Sequence, residues 1–202
     1  FIESANKEVY SKYSLYETLE SSNRKINFSI SLDPIESSIQ SVIQNPSIIT
    51  RQIMIDQANQ FSKDYNKSLG DIQNLNNQTD QEISINIAEV NNILENLKKH
   101  SSLDEQNNLL KDLSKQISFK SIESKSGLHI YLDPKGEPLL LGEKNSKLSY
   151  KNGNILIDNI SINQSFNSGS LKGNLEFKNS LKYLEDDLKQ FGKSFSEYIK
   201  NQ

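Results

Sequence analysis

Apolar residues return in steps of four and three along two long stretches of this chain. Near the C-terminus, Phe177, Leu181, Leu184, Leu188, Phe191, Phe195 and Tyr198 form one stripe. That spacing places all seven on one face of a helix and predicts a packing seam. A seam needs a second helix. The earlier run of Ala58, Phe61, Tyr65, Leu69, Ile72, Leu75, Ile83, Val90, Ile93 and Leu97 keeps a similar spacing with slips and is the expected partner. The two together predict an elongated bundle of long antiparallel helices.

Shorter helical patterns surround them. Residues 2–26 carry Val9, Tyr13, Tyr16 and Leu19 on one side. Asp33-Pro34-Ile35-Glu36 reads as a cap, a proline in the first turn and a capping-box glutamate. It opens a helix to about Gln44 whose apolar side is Ile35, Ile39, Val42 and Ile43. Asn45-Pro46-Ser47 repeats the device, with Asn45 as cap, and launches a helix to about Lys98. Gly70 and the polar run Gln73 to Gln81 are the places where that helix would bend or break. Ser102 and Glu105 make another capping box, before a helix with Leu103, Leu109, Leu110, Leu113 and Ile117 on its buried side.

After Ile117 the period drops to two. Segments 118–124, 128–132, 138–141, 147–150 and 154–163 are short, rich in β-branched and aromatic residues, and separated by turn signals. Asn152-Gly153 is the clearest hairpin turn, because both residues tolerate positive φ. These segments predict a small antiparallel sheet inserted before the last helix, which opens at Gly169-Ser170. The fold class is therefore α+β, mainly α. Residues 1–117 and 170–202 form a helical rod domain, and 118–169 a small β subdomain.

Composition suits a thin body. Of the 202 residues, 34% are hydrophobic and 24% charged, which leaves little for a large pocketed core. The net charge of -3 is small and lysines alternate with acidic residues, so nucleic acid is not an expected partner. No apolar run approaches the roughly 20 residues that a bilayer crossing requires, and no membrane partner is expected. Without cysteine there are no disulfides and no thiolate ligands or nucleophiles. That suits a protein secreted unfolded, and equally a cytosolic one. The chain opens on Phe1 rather than Met and ends at Gln202 inside a helical pattern, so it reads as a fragment of a longer protein.

Candidate chemistry is sparse. His100 falls at a helix end and His129 in a strand, both read as structural. Glu185, Asp186 and Asp187 point about 100° apart on a helix and cannot share one ion, so they read as a solvated face. Gly169 and Gly173 lack the residues of a phosphate loop. Sequons such as Asn77-Gln78-Thr79 are expected by chance in so asparagine-rich a chain. No cofactor, no metal and no catalytic residue is assigned, and the chain is not read as an enzyme.

Three motifs in order carry a resemblance. They are Asn45-Pro46-Ser47 through Arg51-Gln52 to Ala58 and Phe61; Leu103-Asp104-Glu105-Gln106 through Leu109-Leu110 to Leu113-Ser114; and Gly169-Ser170-Leu171-Lys172-Gly173-Asn174-Leu175-Glu176-Phe177. Together the chain resembles the hook–filament junction family, flagellar hook-associated protein 1 (FlgK), over nearly its whole length. Gln106-Asn107 and Lys178-Asn179 depart from the Arg-Asp that the family commonly has at both places. The resemblance implies a central fragment without the terminal helices, from a structural protein that joins hook to filament by self-assembly at the hook tip. It implies secretion to the extracellular flagellum through the flagellar secretion apparatus with a cytosolic export chaperone. It also implies three assembly partners: copies of itself in a ring, the hook protein and the second junction protein. Two other readings stay open at this level: another flagellar axial protein (flagellin or the second junction protein), and a periplasmic adaptor of a secretion or efflux pump.

Overall fold

The computed structural model describes residues 33–99 and 102–200, without the side chains of Phe195 and residues 198–200. The expected helix over 2–26, with Val9, Tyr13, Tyr16 and Leu19, lies outside the described residues, as does His100. Helices α1 (Asp33–Gln44), α2 (Ile48–Lys98) and α3 (Leu103–Gln116) come first. Seven strands follow: β1 (Phe119–Ser124), β2 (Gly127–Leu132), β3 (Pro138–Leu141), β4 (Lys144–Asn145), β5 (Leu148–Lys151), β6 (Asn154–Ile157) and β7 (Ile160–Ser161). A 3-10 turn and α4 (Ser170–Lys200) complete the order. The class is mainly α, α+β.

The described residues group into two compact units, one of residues 77–180 and one of residues 33–76 with 181–200. In the first, one continuous apolar core joins Ile83, Ile87, Val90, Ile93, Leu94 and Leu97 of α2 to Leu113, to the inward residues of the strands, and to Phe166, Leu171 and Leu175. In the second, Ile35, Ile72, Leu75, Leu181 and Leu188 are buried.

Helix α2 runs unbroken for 51 residues through Gly70 and the polar run. The bend expected there does not interrupt it, because the buried stripe passes straight across: Ile72, Leu75, Thr79, Ile83, Ile87 and Val90 are all buried at steps of three and four. Its cap is Ser47 rather than Asn45. Thr50 N–H donates to Ser47 Oγ at 3.1 Å, and Ser47 N–H donates back to Thr50 Oγ1 at 3.0 Å. This is a capping box with threonine in the usual glutamate position. Asn45 instead offers its carbonyl to Thr50 Oγ1 at 2.8 Å.

Three apolar residues sit on the wrong side of their predicted stripes. Ile43 and Leu103 are each 67% exposed, and Ala58 faces solvent as well. The first two stand at the end and the start of a short helix, respectively. The capping box of α3 is present as expected, with Glu105 N–H donating to Ser102 Oγ and Ser102 N–H to Glu105 Oε2.

The β region is two sheets, not one. Strands β1 to β4 form a four-stranded antiparallel meander, and β5 to β7 a separate three-stranded one. Segment 154–163 splits into β6 and β7 because Asp158 and Asn159 both adopt positive φ, 49° and 67°, and close a second two-residue turn. The first turn, Asn152-Gly153, is as expected, with φ of 52° and 78°.

Candidate functional site

The described residues of the predicted C-terminal stripe differ in burial. Of the C-terminal stripe, Phe177, Leu181 and Leu188 are buried, and Leu184 and Phe191 half-buried. The side chains of Phe195 and Tyr198 lie outside the described residues. Phe191 meets Phe61 of α2 with ring centroids 6.0 Å apart at 54°, and Phe61 stacks on Tyr65 at 6.3 Å. Such tilted pairs contribute about 0.5 to 1.5 kcal/mol beyond their buried area. Beside them Gly192 lets the Tyr65 ring lie on the backbone of α4. A Cβ there would stand 2.4 Å from Tyr65 Oη and 2.7 Å from Cζ.

In the larger unit, polar side chains tie the strands to the helices. Asp80 of α2 accepts hydrogen bonds from the Tyr150 hydroxyl of β5 and from the Lys178 ammonium of α4. Burial first, then the hydrogen bond to Asp80 and its negative charge, push the Tyr150 hydroxyl well above the usual tyrosine range. Gln116, the last residue of α3, makes a second junction. Its Nε2 donates to Glu89 of α2 at 2.7 Å, while its Oε1 accepts from Ser170 Oγ at the start of α4. Gly169, φ +90°, packs its α-carbon against the Gln116 carbonyl; an added Cβ would stand 2.4 Å from that oxygen.

A third tie joins the first sheet to the segment before it. Ser118 Oγ donates to the buried Asp133 carbonyl at 3.0 Å, and Lys120 pairs with the Asp133 carboxylate at 3.0 Å. None of these polar anchors is assigned that role by the sequence, although Lys178 and Ser170 stand in or beside the third motif. Each is a lone polar residue whose partner lies up to 98 positions away, and spacing carries no signal of that kind.

Convergent chemistry is thin. His129 is half-buried in β2, and its Nε2 lies 2.8 Å from Ser124 Oγ and 2.9 Å from Ser126 Oγ. The imidazole ties down the β1–β2 turn, and among the described residues no carboxylate hydrogen-bonds to it. Glu185 pairs with Lys189 at 2.6 Å, and Asp186 and Asp187 are exposed. Among the described residues no group of three His, Cys, Asp or Glu could hold a metal ion. No described helix is long and apolar enough to cross a membrane.

Comparison with known proteins agrees with this architecture. The family model described as the flagellar hook-associated protein FlgK helical domain matches residues 15–202. No curated protein sequence matches the chain. Among solved structures, the flagellar hook junction protein FlgK from Burkholderia pseudomallei is similar in fold, with a TM-score of 0.74 at 15% identity. That similarity covers 87% of this chain and 38% of the Burkholderia chain. With a family model spanning α1 to α4 and every strand between, the chain belongs to the FlgK family of flagellar hook-associated proteins, and carries its helical domain.

Proposed function

We propose that this chain is the middle of a structural protein of the bacterial flagellum that joins hook to filament by assembling at the hook tip. The observation that carries this reading is the family match over residues 15–202, together with the three ordered motifs at Asn45, Leu103 and Gly169. The physics of the chain supports it. Two long helices supply many local contacts, which favour fast refolding after export in an unfolded state. The absence of cysteine means that refolding outside the cell needs no disulfide chemistry.

In this reading the protein is secreted to the extracellular flagellum and is not an enzyme. Residues 1–117 and 170–202 form the helical rod, and 118–169 a β subdomain. The stripe from Phe177 to Tyr198 is the seam that holds the rod together. Copies of the protein sit in a ring through heterologous contacts, with different faces of one subunit meeting. The hook protein lies on one side of the ring and the second junction protein on the other. A cytosolic chaperone delivers the unfolded chain to the flagellar secretion apparatus.

Electron microscopy of cells lacking the gene, with flagellin assayed in the medium, tests the central claim. Bare hooks with flagellin shed outside are expected. Intact filaments would refute it.

A further inference from the structure

The turn between β5 and β6 carries a reactive dipeptide that the function above does not use. Asn152-Gly153 is the sole Asn-Gly pair in the sequence. Asn152 is exposed, and its side-chain amide makes no hydrogen bond to the described residues; only its carbonyl is engaged, by Asn154 Nδ2 at 3.1 Å. The neighbours Lys151 and Asn154 close the hairpin, so Gly153 N–H lies in the loop outside the strand pairing. Glycine has no side chain to shield that nitrogen. We propose that Asn152 is a site of spontaneous deamidation, a slow covalent change that ages this hairpin.

The chemistry balances without a co-reactant other than water. Gly153 N attacks Asn152 Cγ, a C–N bond forms, and the Cγ–Nδ2 bond breaks. Nδ2 leaves as ammonia and takes up the proton that Gly153 N loses. Water then opens either carbonyl of the resulting imide, giving aspartate or isoaspartate. Aspartate adds one negative charge beside Lys151 and keeps the turn, since Asp tolerates the left-handed region almost as Asn does. Isoaspartate routes the backbone through the former side chain and adds a methylene to a two-residue turn. That loop no longer matches the strand register from Leu148–Ile157 to Lys151–Asn154.

The same sheet contains its own control. Asn159 stands in the next two-residue turn, exposed and at positive φ like Asn152. Its follower is Ile160, whose branched side chain crowds the nitrogen that would have to attack.

The test is a time course of the folded chain in mildly alkaline buffer at body temperature, read by intact mass and peptide mapping. The expected result is a gain of about one mass unit that maps to Asn152 as a mixture of aspartate and isoaspartate, while Asn159 stays an amide. N152D supplies the elution standard for the aspartate product. N152Q, checked by circular dichroism, should lose the gain, because its longer side chain would have to close a six-membered ring. Two outcomes overturn the proposal. One is conversion of Asn152 only in urea-unfolded chain, since the folded turn then holds Gly153 N away from Cγ. The other is equal conversion at Asn159.

Discussion

Asn91 holds the main chain of Leu148 at both of its polar groups. Its Oδ1 accepts from Leu148 N–H at 2.9 Å, and its Nδ2 donates to Leu148 C=O at 2.9 Å. Leu148 opens β5, the edge strand of the second sheet, and these two groups face away from β6. A helix side chain thus takes the place of a neighbouring strand. That occupancy blocks strand pairing at Leu148, on an edge that would otherwise invite it.

Replacing Asn91 by Ala is expected to cost about 2 to 3 kcal/mol, because it leaves a donor and an acceptor unpaired beside a side chain that is 1% exposed. Asn91→Asp keeps the acceptor and loses the donor, and should be no more stable than the alanine variant. Urea unfolding of both variants checks this. Wild-type midpoints for either would show that water replaces the amide without loss.

Tyr150 sets an alkaline limit. Its pKa is raised above the ordinary 10.0, chiefly by burial, so the folded state keeps this proton where the unfolded chain gives it up. Between those two values the folded state binds more protons, and stability falls as pH rises. Unfolding midpoints measured upward from pH 10 should decline in the wild type, with a shallower decline in Tyr150→Phe. At neutral pH the same variant should lose about 1 to 1.5 kcal/mol, the low end for a hydrogen bond to a charged group, since the Asp80 side chain is 39% exposed.

Gly192 offers a test in which a sign reverses. Alanine is the better helix former by about 1 kcal/mol, but here its Cβ would meet the Tyr65 ring. Gly192→Ala is therefore expected to destabilise by about 1 to 2 kcal/mol, as small-to-large changes at packed contacts do. In a Tyr65→Ala background the obstacle is gone, and the same change should stabilise. A double-mutant cycle by thermal unfolding reads the coupling, and simple additivity would refute the contact.

Gly169 has no such remedy. It combines a φ of +90° with backbone atoms of Gln116 and Ile117 within 2.7 Å of where a Cβ would go. Gly169→Ala should cost at least about 3 kcal/mol, the sum of left-handed strain and a clash with main chain that cannot rotate away. Circular dichroism melts against Gly136→Ala, which has positive φ but open space, separate the two contributions.

Much of this protein could be read from one dimension. Helix spacing placed α1 to α4, turn residues placed the hairpin at Asn152-Gly153, and three ordered motifs pointed to the family that the comparisons support. These signals are local: a stripe, a cap or a turn is set by residues within a few positions of one another. The cap at Ser47 was misassigned to Asn45 because both residue types cap helices and only the backbone path chooses between them. Ile43 and Leu103 are exposed although they fall on the predicted stripes, because periodicity does not encode how far along a helix burial extends.

What tertiary structure alone decided are the long-range polar ties. Asp80 finds Tyr150 and Lys178, Asn91 finds Leu148, and Gln116 finds Glu89 and Ser170. Taken singly along the chain, each is an ordinary helix, strand or loop residue. Their roles exist only once folding brings two unmatched groups within about 3 Å, because a buried polar group is stabilised by the partner it meets and not by its neighbours in sequence.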